Sequence, residues 1–317
     1  MLGWTSEKPD LLRSTTLLLA AAALGGASFA QSPQPFAAGP ALKLTPNART
    51  YGGFRFAESI SYDEKRDLFI AVNAGMPQAV VPNDGYVSLI NPDGTAHTLK
   101  WIGVNRNGLT LNHPLGSDVQ NGLLYVADID TVRWFDLTTG EPKGSTKIDG
   151  ITHFLNDLEV APDGTIYATQ TGDQTESTWR VYKITPQGQA SLFVSGAPLK
   201  QPNGVAFDPK GNIVVVNIGS HDVLTFSPAG QLLTTEQSID AGNDGLAILP
   251  DGTKYVSSVR QGTVARIRPG QKAEMIASGI PSAASMTYDP KRNRLLIPMN
   301  DWNAITIVEL GKRRGRK

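Results

Sequence analysis

Residues 203–216 read NGVAFDPKGNIVVV, and this stretch decides the fold. A short apolar run ends at Phe207, a turn occupies residues 208–211, and a β-branched run follows at residues 213–216. Asp, Pro and Gly are typical of tight turns, and β-branched residues favour strands. The stretch therefore predicts two antiparallel strands joined by a tight turn.

The same pattern recurs along the chain after about its first forty residues. Its six turns lie at residues 63–64, 121–122, 162–164, 208–211, 250–252 and 289–290. The β-rich runs that follow them lie at residues 68–72, 123–127, 165–169, 213–216, 254–257 and 295–297. The copies are roughly 40 to 58 residues apart, which is within or near the range of propeller repeats.

A second series of turns alternates with the first and has only five members, at residues 91–94, 139–140, 186–188, 228–230 and 269–270. The two series of turns together predict four strands in each repeat. The sixth repeat, however, ends at residues 305–310 with no turn after it. Residues 42–44, or those just after them, are the natural donors of the missing strand, because closing the ring removes open sheet edges. We predict an all-β fold, a six-bladed β-propeller with four-stranded blades closed by an N-terminal strand. A pair of β-sandwiches is the alternative, but it does not explain the regular repeat.

Composition excludes several classes of function. The 317 residues include 29 basic and 29 acidic side chains, so the basic excess of a nucleic-acid-binding protein is absent. The chain has no cysteine, which excludes disulfides, thiolate nucleophiles, iron–sulfur clusters and cysteine-type zinc sites. We therefore expect no nucleic-acid partner, and we favour a monomer over an oligomer.

The N-terminal thirty residues predict a signal peptide. Arg13 precedes an apolar run at residues 17–24, and Ser28 and Ala30 fit a signal-peptidase site before Gln31. The run is much shorter than the ~20 residues that a membrane-spanning helix needs, so we expect no membrane span. We expect a signal peptide at 1–30, a linker at 31–41, the propeller at 42–311 and a basic, solvated tail at 312–317. The protein is therefore expected to be exported, either periplasmic or secreted.

One position of the repeat carries oxygen-bearing side chains in four of the six copies. It lies six residues before the turns of the first series, where the chain enters the innermost strand of a propeller, and those entry points surround the central channel on one face. Pro114 and Ala284 fill it in the other two copies. Two carboxylates and two amides form an all-oxygen set that suits a hard cation such as Ca²⁺. The four residues are Glu58, Asn156, Asn203 and Asp244.

Each of these residues also has an ordinary structural explanation. Asn and Asp at loop ends commonly bond the local backbone in Asx turns, and the Asn203-Gly204 and Asp244-Gly245 pairs are common turn pairs. Four such residues at one position, a Glu among them, favour the ligand set over four separate turns.

The segments around these residues resemble the SMP-30/gluconolactonase family, which is related to the paraoxonases and the Drp35-type lactonases. The segments are FAESISYD at 56–63, NDLEV at 156–160, PNGVA at 202–206 and NDGLA at 243–247. The resemblance covers roughly residues 54–310. It implies a six-bladed propeller that holds a divalent metal in its central channel and hydrolyses a lactone. For the metal we expect Ca²⁺ first, with Mn²⁺ or Zn²⁺ as alternatives.

The resemblance also implies roles for individual residues. Glu58, Asn203 and Asp244 match the family's metal ligands, and Asn156 matches a position that contacts the metal, its water or the substrate. Asp244 also matches the proposed general base. His113 lies near the position of a catalytic His in the paraoxonases and is the second candidate for the base.

Two features of the loops bear on the substrate. Phe154 stands where the sugar-lactone enzymes carry an Arg, which favours a less polar lactone or ester. His153, Trp179 and Trp302 lie in or beside loops expected on the channel face, and we predict that they bind substrate. Surface elaboration is the alternative for these loops.

The working hypothesis is therefore an exported, metal-dependent hydrolase of a lactone or ester. One alternative is a non-catalytic propeller that binds a ligand or a protein and uses its metal structurally, since a fold does not fix a function. Another is a propeller like strictosidine synthase with a changed centre. The joint presence of Glu58, Asn203 and Asp244 favours the enzyme.

Overall fold

The computed structural model describes residues 43–77, 79–104 and 110–311. The predicted signal peptide at 1–30, linker at 31–41 and basic tail at 312–317 lie outside these residues. Within the described ranges the chain forms 24 strands and two single-turn 3₁₀ helices, Glu176–Thr178 and Asn300–Trp302. No helix in these ranges is long and apolar enough to cross a membrane.

The first twelve strands are β1 Ala48–Gly52, β2 Ala57–Asp63, β3 Leu68–Asn73, β4 Tyr86–Ile90, β5 Ala96–Gly103, β6 Pro114–Gln120, β7 Leu123–Asp128, β8 Thr131–Asp136, β9 Pro142–Lys147, β10 Leu155–Val160, β11 Ile166–Gln170 and β12 Arg180–Ile184. The remaining strands are β13 Ala190–Ser195, β14 Pro202–Phe207, β15 Ile213–Asn217, β16 Asp222–Phe226, β17 Leu232–Gln237, β18 Asn243–Ile248, β19 Lys254–Ser258, β20 Thr263–Ile267, β21 Glu274–Ala277, β22 Thr287–Asp289, β23 Arg294–Met299 and β24 Ala304–Glu309.

These strands form six antiparallel sheets of four strands each, which are the blades of a propeller. Blades 1 to 5 each use four consecutive strands, beginning at β2, β6, β10, β14 and β18, and blade 6 combines β22, β23 and β24 with β1. The predicted six-bladed propeller is confirmed.

Blade 6 closes the ring with the N-terminal strand. β1 pairs with β24, so that Ala48 lies opposite Val308 and Gly52 lies opposite Ala304. The donated strand comes from the residues just after 42–44, as the five-membered second series of turns predicts. Pairing β1 with β24 covers a sheet edge that would otherwise be open to another chain.

The core lies between neighbouring blades, around their second strands. Every residue of β11 and β15 is buried, whereas most of the fourth strand β17 is exposed. Tyr167 and Val181 of blade 3 pack with Val215 and Phe226 of blade 4 in one such cluster. Burying one large apolar side chain contributes about 2 kcal/mol, so the repeated apolar runs hold the ring together.

The first strand of each blade lines the central channel, and in blades 1 to 5 a bulge interrupts its pairing near its start. In blade 5, for example, Asn243 pairs with Ser258 and Leu246 pairs with Val256. Asp244 and Gly245 therefore lie inside the bulge. Bulges bend a strand and re-aim its side chains, and this one occurs where the predicted ligands lie.

Candidate metal centre

The four predicted ligands occupy the same place in their blades, the second residue of the inner strand. They are Glu58, Asn156, Asn203 and Asp244. Glu58, Asn203 and Asp244 are at most 5% exposed, and Asn156 is half-buried. Because four equivalent strand starts lie around one channel, the shared position brings oxygen-bearing side chains to one end of it.

The other two blades carry apolar residues at this position. In blade 2, Pro114 pairs with Asp128, so Leu115 takes the equivalent place. Counting back from the turn, which gives Pro114, is wrong by one residue. In blade 6, Ala283 bridges Met299, and Ala284 follows it at the expected place.

Asn203 and Asp244 contact each other directly. Asn203 Nδ2 lies 3.3 Å from Asp244 Oδ2 and donates a hydrogen bond to it. The remaining polar atom of each side chain, Asn203 Oδ1 or Asp244 Oδ1, is buried and has no hydrogen-bond partner among the described residues. A buried polar atom without a partner costs free energy, so two such oxygens side by side indicate a place for a cation or a donor.

Burial also disfavours the negative charge of the two carboxylates. Burial raises the pKa of Asp244 well above its ordinary value, and the charges of Glu58 and Asp157 raise it further. Burial raises the pKa of Glu58 to about 7, and the charges of Asp157 and Asp301 add to this shift. Among the described residues, no lysine or arginine is one of the groups that shift either pKa. A divalent cation at this place would stabilise both carboxylates in their charged form.

Glu58 has a partner that the repeat pattern does not reveal. Asn300 Nδ2 donates a hydrogen bond of 2.6 Å to Glu58 Oε2, and both side chains are buried. Asn300 Oδ1 in turn accepts a hydrogen bond from the backbone N–H of Asp301, which fixes the orientation of the amide. Asn300 therefore positions the Glu58 carboxylate. It follows the second strand of blade 6 and has no counterpart in the ligand series, so the sequence offers no signal for it.

The residues present fit a hard cation. The donor atoms at this end of the channel are carboxylate and amide oxygens, and two of them lack partners. Among the described residues, no three His, Asp or Glu side chains cluster as a metal site, so the ring depends on its amides as well as its two carboxylates. Such a set suits Ca²⁺ better than Zn²⁺, which favours nitrogen and sulfur ligands.

The glycines after two of the ligands have a packing role rather than a turn role. Gly204 and Gly245 lie within β14 and β18, so the interpretation of Asn-Gly and Asp-Gly as turn pairs is wrong. A Cβ on Gly204 would lie 2.3 Å from the backbone oxygen of Asp244, and one on Gly245 would lie 2.6 Å from that of Ala284. Glycine lets each inner strand approach the next blade at the ligand position.

His113 lies near the ring of ligands and is only 4% exposed. Its backbone N–H and that of Asn112 both donate to Asp128 Oδ1, at 2.9 and 3.0 Å, which fixes the segment before β6. Nδ1 of the ring is buried and has no partner among the described residues. Burial lowers the pKa of His113, against opposing contributions from the Ala74 backbone and Asp128. The ring is therefore neutral near pH 7 and can accept a proton.

Polar residues that end the second strands fix the segments leading into the ligand position, and the sequence analysis did not identify them. Asn73 Oδ1 accepts from the backbone N–H of Arg55, and Asn217 Oδ1 accepts from that of Lys200. Asp128 does the same for blade 2. Their signal is a polar residue directly after each buried β-run.

The predicted substrate-binding residues lie in three different surroundings. His153 is half-buried, its Nδ1 lies 3.1 Å from Thr152 Oγ1, and its Nε2 lies 3.6 Å from Asp173 Oδ2. Trp179 is buried in the cluster between blades 3 and 4, and its indole N–H donates to the backbone oxygen of Asp173. Trp302 is exposed and lies in the same 3₁₀ turn as Asn300. Of the three, Trp302 lies beside a residue that contacts a predicted ligand.

Further along the channel from the ligands lies a cavity of about 500 Å³ lined by three more carboxylates, Asp118, Asp157 and Glu159. Of these, Asp157 lies nearest the ligands, since its charge acts on both Glu58 and Asp244. Burial raises the pKa of Asp118 to about 6 and that of Asp157 to about 7, and it raises that of Glu159 strongly. Two of them accept hydrogen bonds from the backbone N–H groups of a neighbouring blade, Asp118 from Val160 and Asp157 from Val205, and the Phe207 backbone opposes the rise in the pKa of Glu159. These carboxylates provide hydrogen-bond acceptors for the channel-facing N–H groups of the inner strands.

Comparison with known families and structures agrees with this fold. The model of the SMP-30/Gluconolactonase/LRE-like region matches residues 83–299, which is more than half of the chain. A comparison with curated proteins finds no match.

Three solved structures have the same fold. A gluconolactonase from Xanthomonas campestris, described as important in glucose secondary metabolic pathways, is 20% identical with a TM-score of 0.61, over 84% of this chain and 91% of that one. A structural-genomics protein provisionally assigned as a gluconolactonase is 17% identical with a TM-score of 0.62, over 83% and 91%. Virginiamycin B lyase from Staphylococcus aureus is 11% identical with a TM-score of 0.60, over 85% and 100%. At these identities the likeness establishes the fold.

Proposed function

We propose, from the premise that the chain belongs to the SMP-30/gluconolactonase/LRE-like family, that it is a metal-dependent hydrolase that opens a lactone at the inner-strand ring. The observation that carries the proposal is the pair of buried, unpartnered oxygens, Asn203 Oδ1 and Asp244 Oδ1, in a ring that also holds Glu58. A propeller without a ligand at this end would bury these groups at a cost and gain nothing from them.

Glu58, Asn203 and Asp244 would hold the cation, and Asn156 would complete the set or contact the substrate. Ca²⁺ is the proposed metal because every donor is an oxygen; Mn²⁺ and Zn²⁺ are the alternatives. When bound, such a cation supplies a Lewis acid that polarises the ester carbonyl. Asn300 holds the Glu58 carboxylate in place for it.

The remaining chemistry is the removal of a proton from the attacking water. Asp244 is the first candidate for this base, because its buried carboxylate lies at the ring of ligands, where a bound cation would keep it charged and able to accept a proton. His113 is the second candidate, because its buried ring is neutral and its Nδ1 has no partner among the described residues. A water held between the ring of ligands and one of these groups would attack the carbonyl.

Export is part of the proposal. The apolar run at residues 17–24 and the small residues before Gln31 support a cleaved signal peptide, which would place the mature protein in the periplasm or outside the cell. The test is the N-terminal sequence of the mature protein after expression of the full chain. Cleavage before Gln31 is expected, and an intact N-terminus in the cytoplasmic fraction would contradict export.

The enzymatic proposal is tested with the purified mature chain and a panel of lactones, from aldonolactones to alkyl-substituted lactones. Hydrolysis is measured after EDTA treatment and then with added Ca²⁺, Mn²⁺ or Zn²⁺. We expect EDTA to abolish turnover and Ca²⁺ to restore it. A tightly bound metal without turnover of any lactone or ester would contradict the enzyme and favour the non-catalytic binding propeller.

A further inference from the structure

The described residues include ten large hydrophobic side chains that are exposed, and they fall into two groups. Five lie on fourth strands, at the outer edges of the blades: Leu99, Leu192, Leu232, Leu233 and Met275. The other five lie in loops at the end of the propeller that carries the ring of ligands, and they are 37% to 43% exposed. We call this second group the apolar rim: Met76, Val80, Val81, Phe154 and Trp302.

The apolar rim is connected to the candidate centre by ring contacts. The Phe154 ring lies 5.5 Å from the His113 ring, centre to centre, and the His113 ring lies 6.4 Å from that of Phe56. The Phe56 backbone N–H donates to Asn303 Oδ1 at 2.7 Å, directly after Trp302. The rings of Phe154, His113 and Phe56 therefore follow one another at the starts of blades 3, 2 and 1, and Phe154 and Phe56 each lie two residues before a predicted ligand.

Hydrogen bonds and close packing hold the two ends of the loop that carries Met76, Val80 and Val81. The N–H of Asp84 donates to the backbone oxygen of Val81 at 3.2 Å, and the Asp84 carboxylate pairs with Arg55 at 3.0 Å. Gly75 has a positive φ and packs so tightly on Asp84 that a Cβ would lie 2.7 Å from its carboxylate. The anchored ends of the loop therefore favour the exposure of these apolar side chains. Exposed apolar patches commonly mark a binding site.

We infer that the apolar rim binds a hydrocarbon chain of the substrate, so that the substrate class is a lactone or ester with an unbranched alkyl or acyl substituent. The inference rests on the proposed function for the reacting carbonyl, which would lie at the ring of ligands. Phe154 connects the two parts because it is exposed at the rim and its ring contacts His113. A polyhydroxylated sugar lactone would gain little from such a surface, because its hydroxyl groups would lose water without finding donors or acceptors there.

The test measures kcat/KM in the presence of Ca²⁺ for a series of δ-lactones with linear alkyl substituents of increasing length. Full burial of each methylene group corresponds to about a fourfold gain, so we expect a rise of between about twofold and fourfold per methylene until the rim is covered. Phe154→Ser and Met76→Ser, alone and together, should flatten this dependence, measured as the slope of log kcat/KM against chain length. Leu192→Ser, on a fourth strand and equally apolar, is the matched control and should leave the dependence unchanged.

A second measurement separates this inference from the proposed function. Calorimetry records the binding of the corresponding alkyl lactams, which resemble the lactones but resist hydrolysis. Affinity that rises with chain length in the wild type and in Leu192→Ser, but not in Phe154→Ser, supports the inference even if no lactone is turned over. Lactone turnover with no dependence on chain length overturns it and leaves the hydrolase intact.

A lipid surface is the competing occupant of the apolar rim. Sedimentation with phosphatidylcholine vesicles distinguishes it, with Met76→Ser and Trp302→Ser as variants. Vesicle binding that these variants abolish, together with lactam affinities that do not depend on chain length, would assign the rim to a membrane surface and overturn the inference. No vesicle binding, together with chain-length-dependent lactam affinity, is the expected result.

Discussion

The two ends of the central channel both carry buried carboxylates, but among the described residues the fully buried channel oxygens without hydrogen-bond partners lie at one end. At the exit end, where the inner strands leave the channel, Asp118 accepts the backbone N–H of Val160, and Asp157, between the two ends, accepts that of Val205. At the entry end, Asp244 Oδ1 and Asn203 Oδ1 have no partner, and Glu58 receives its hydrogen bond from a side chain. The carboxylates beyond the ligands accept hydrogen bonds from the inner strands. The two entry-end oxygens accept none from the described residues, so they remain available to bind a cation or a hydrogen-bond donor.

This difference shows that acidic residues in a propeller channel do not by themselves indicate a metal site. All the carboxylates here are buried enough for burial to raise their pKa values, so the shifts alone do not separate the two ends. The hydrogen-bond partners of these side chains do separate the two ends. Predictions that compare the two ends therefore test the account more sharply than substitutions at one end alone.

The largest expected effect is the loss of catalysis in Asp244→Asn. The substitution keeps the shape of the side chain but removes a ligand charge and the first candidate base, so kcat/KM for a hydrolysed lactone should fall by about 10³-fold or more. Glu159→Gln, at the exit end, is the control and should keep most of the activity. Full activity in Asp244→Asn would contradict the proposed mechanism.

A large effect on stability is expected for Gly245→Ala. Its Cβ would lie 2.6 Å from the backbone oxygen of Ala284 and 2.7 Å from the backbone nitrogen of Met286, so blades 5 and 6 would have to move apart. We expect a loss of about 3 kcal/mol in the free energy of unfolding, measured with urea. Gly52→Ala, where a Cβ meets nothing within 4 Å, is the matched control. Equal stability of the two variants would show that the close approach at the ligand position is unimportant.

Asn300→Ala should weaken metal binding without unfolding the protein. The variant removes the 2.6 Å hydrogen bond that orients Glu58 Oε2, and loss of such supporting hydrogen bonds typically costs about 10- to 100-fold in metal affinity. A Ca²⁺ titration of wild type and variant measures the effect, and unchanged thermal unfolding of the metal-free proteins checks the fold. Asn300→Gln, which keeps an amide donor, should recover part of the affinity. If Asn300→Ala binds Ca²⁺ as tightly as the wild type, Asn300 does not position Glu58.

The smallest effect concerns the pH dependence of stability at the exit end. Burial raises the pKa of Asp118 from 3.8 to about 6, so above about pH 4 the unfolded chain releases this proton before the folded protein does. The contribution of Asp118 to stability therefore falls as the pH rises from about 4 to 6, by about 1 to 2 kcal/mol after allowance for water in the cavity. Asp118→Asn should lack this fall in urea unfolding.

An exposed carboxylate provides the control of opposite sign for the Asp118 experiment. Hydrogen bonds from the backbone of Thr139 and Thr138 lower the pKa of Asp136, so its contribution to stability is lost as the pH falls. Asp136→Asn should therefore remove a loss of stability that occurs as the pH falls, whereas Asp118→Asn removes one that occurs as the pH rises from about 4 to 6. Identical pH profiles for wild type and Asp118→Asn would show that burial does not raise the pKa of Asp118 in the folded protein.

Repetition explains which parts of the molecule the sequence predicts. The six blades and the closing strand follow from turns that recur at regular spacing, and Glu58, Asn203 and Asp244 stand out because they share one position of the repeat. In blade 2 the equivalent residue is Leu115 rather than Pro114, because the position depends on a strand pairing that counting from the turn does not capture.

The features that the sequence does not predict arise from contacts between different repeats. Asn300 reaches Glu58 from the neighbouring blade, and it is a single residue without repeated equivalents. Gly204 and Gly245 look like turn glycines because the close approach of the next blade is a tertiary feature. Trp179 looks like an exposed loop residue, but the apolar cluster between blades 3 and 4 buries it. Local patterns carry no information about such long-range packing.

The most direct test of the central claim is a calorimetric Ca²⁺ titration of the EDTA-treated mature chain, its Asp244→Asn variant and its Asp118→Asn variant. The claim is that the entry end of the channel holds the cation because its oxygens lack partners. It predicts binding in the wild type and in Asp118→Asn, and loss of that binding in Asp244→Asn. Binding that survives in Asp244→Asn but disappears in Asp118→Asn would place the cation at the exit end and contradict the claim.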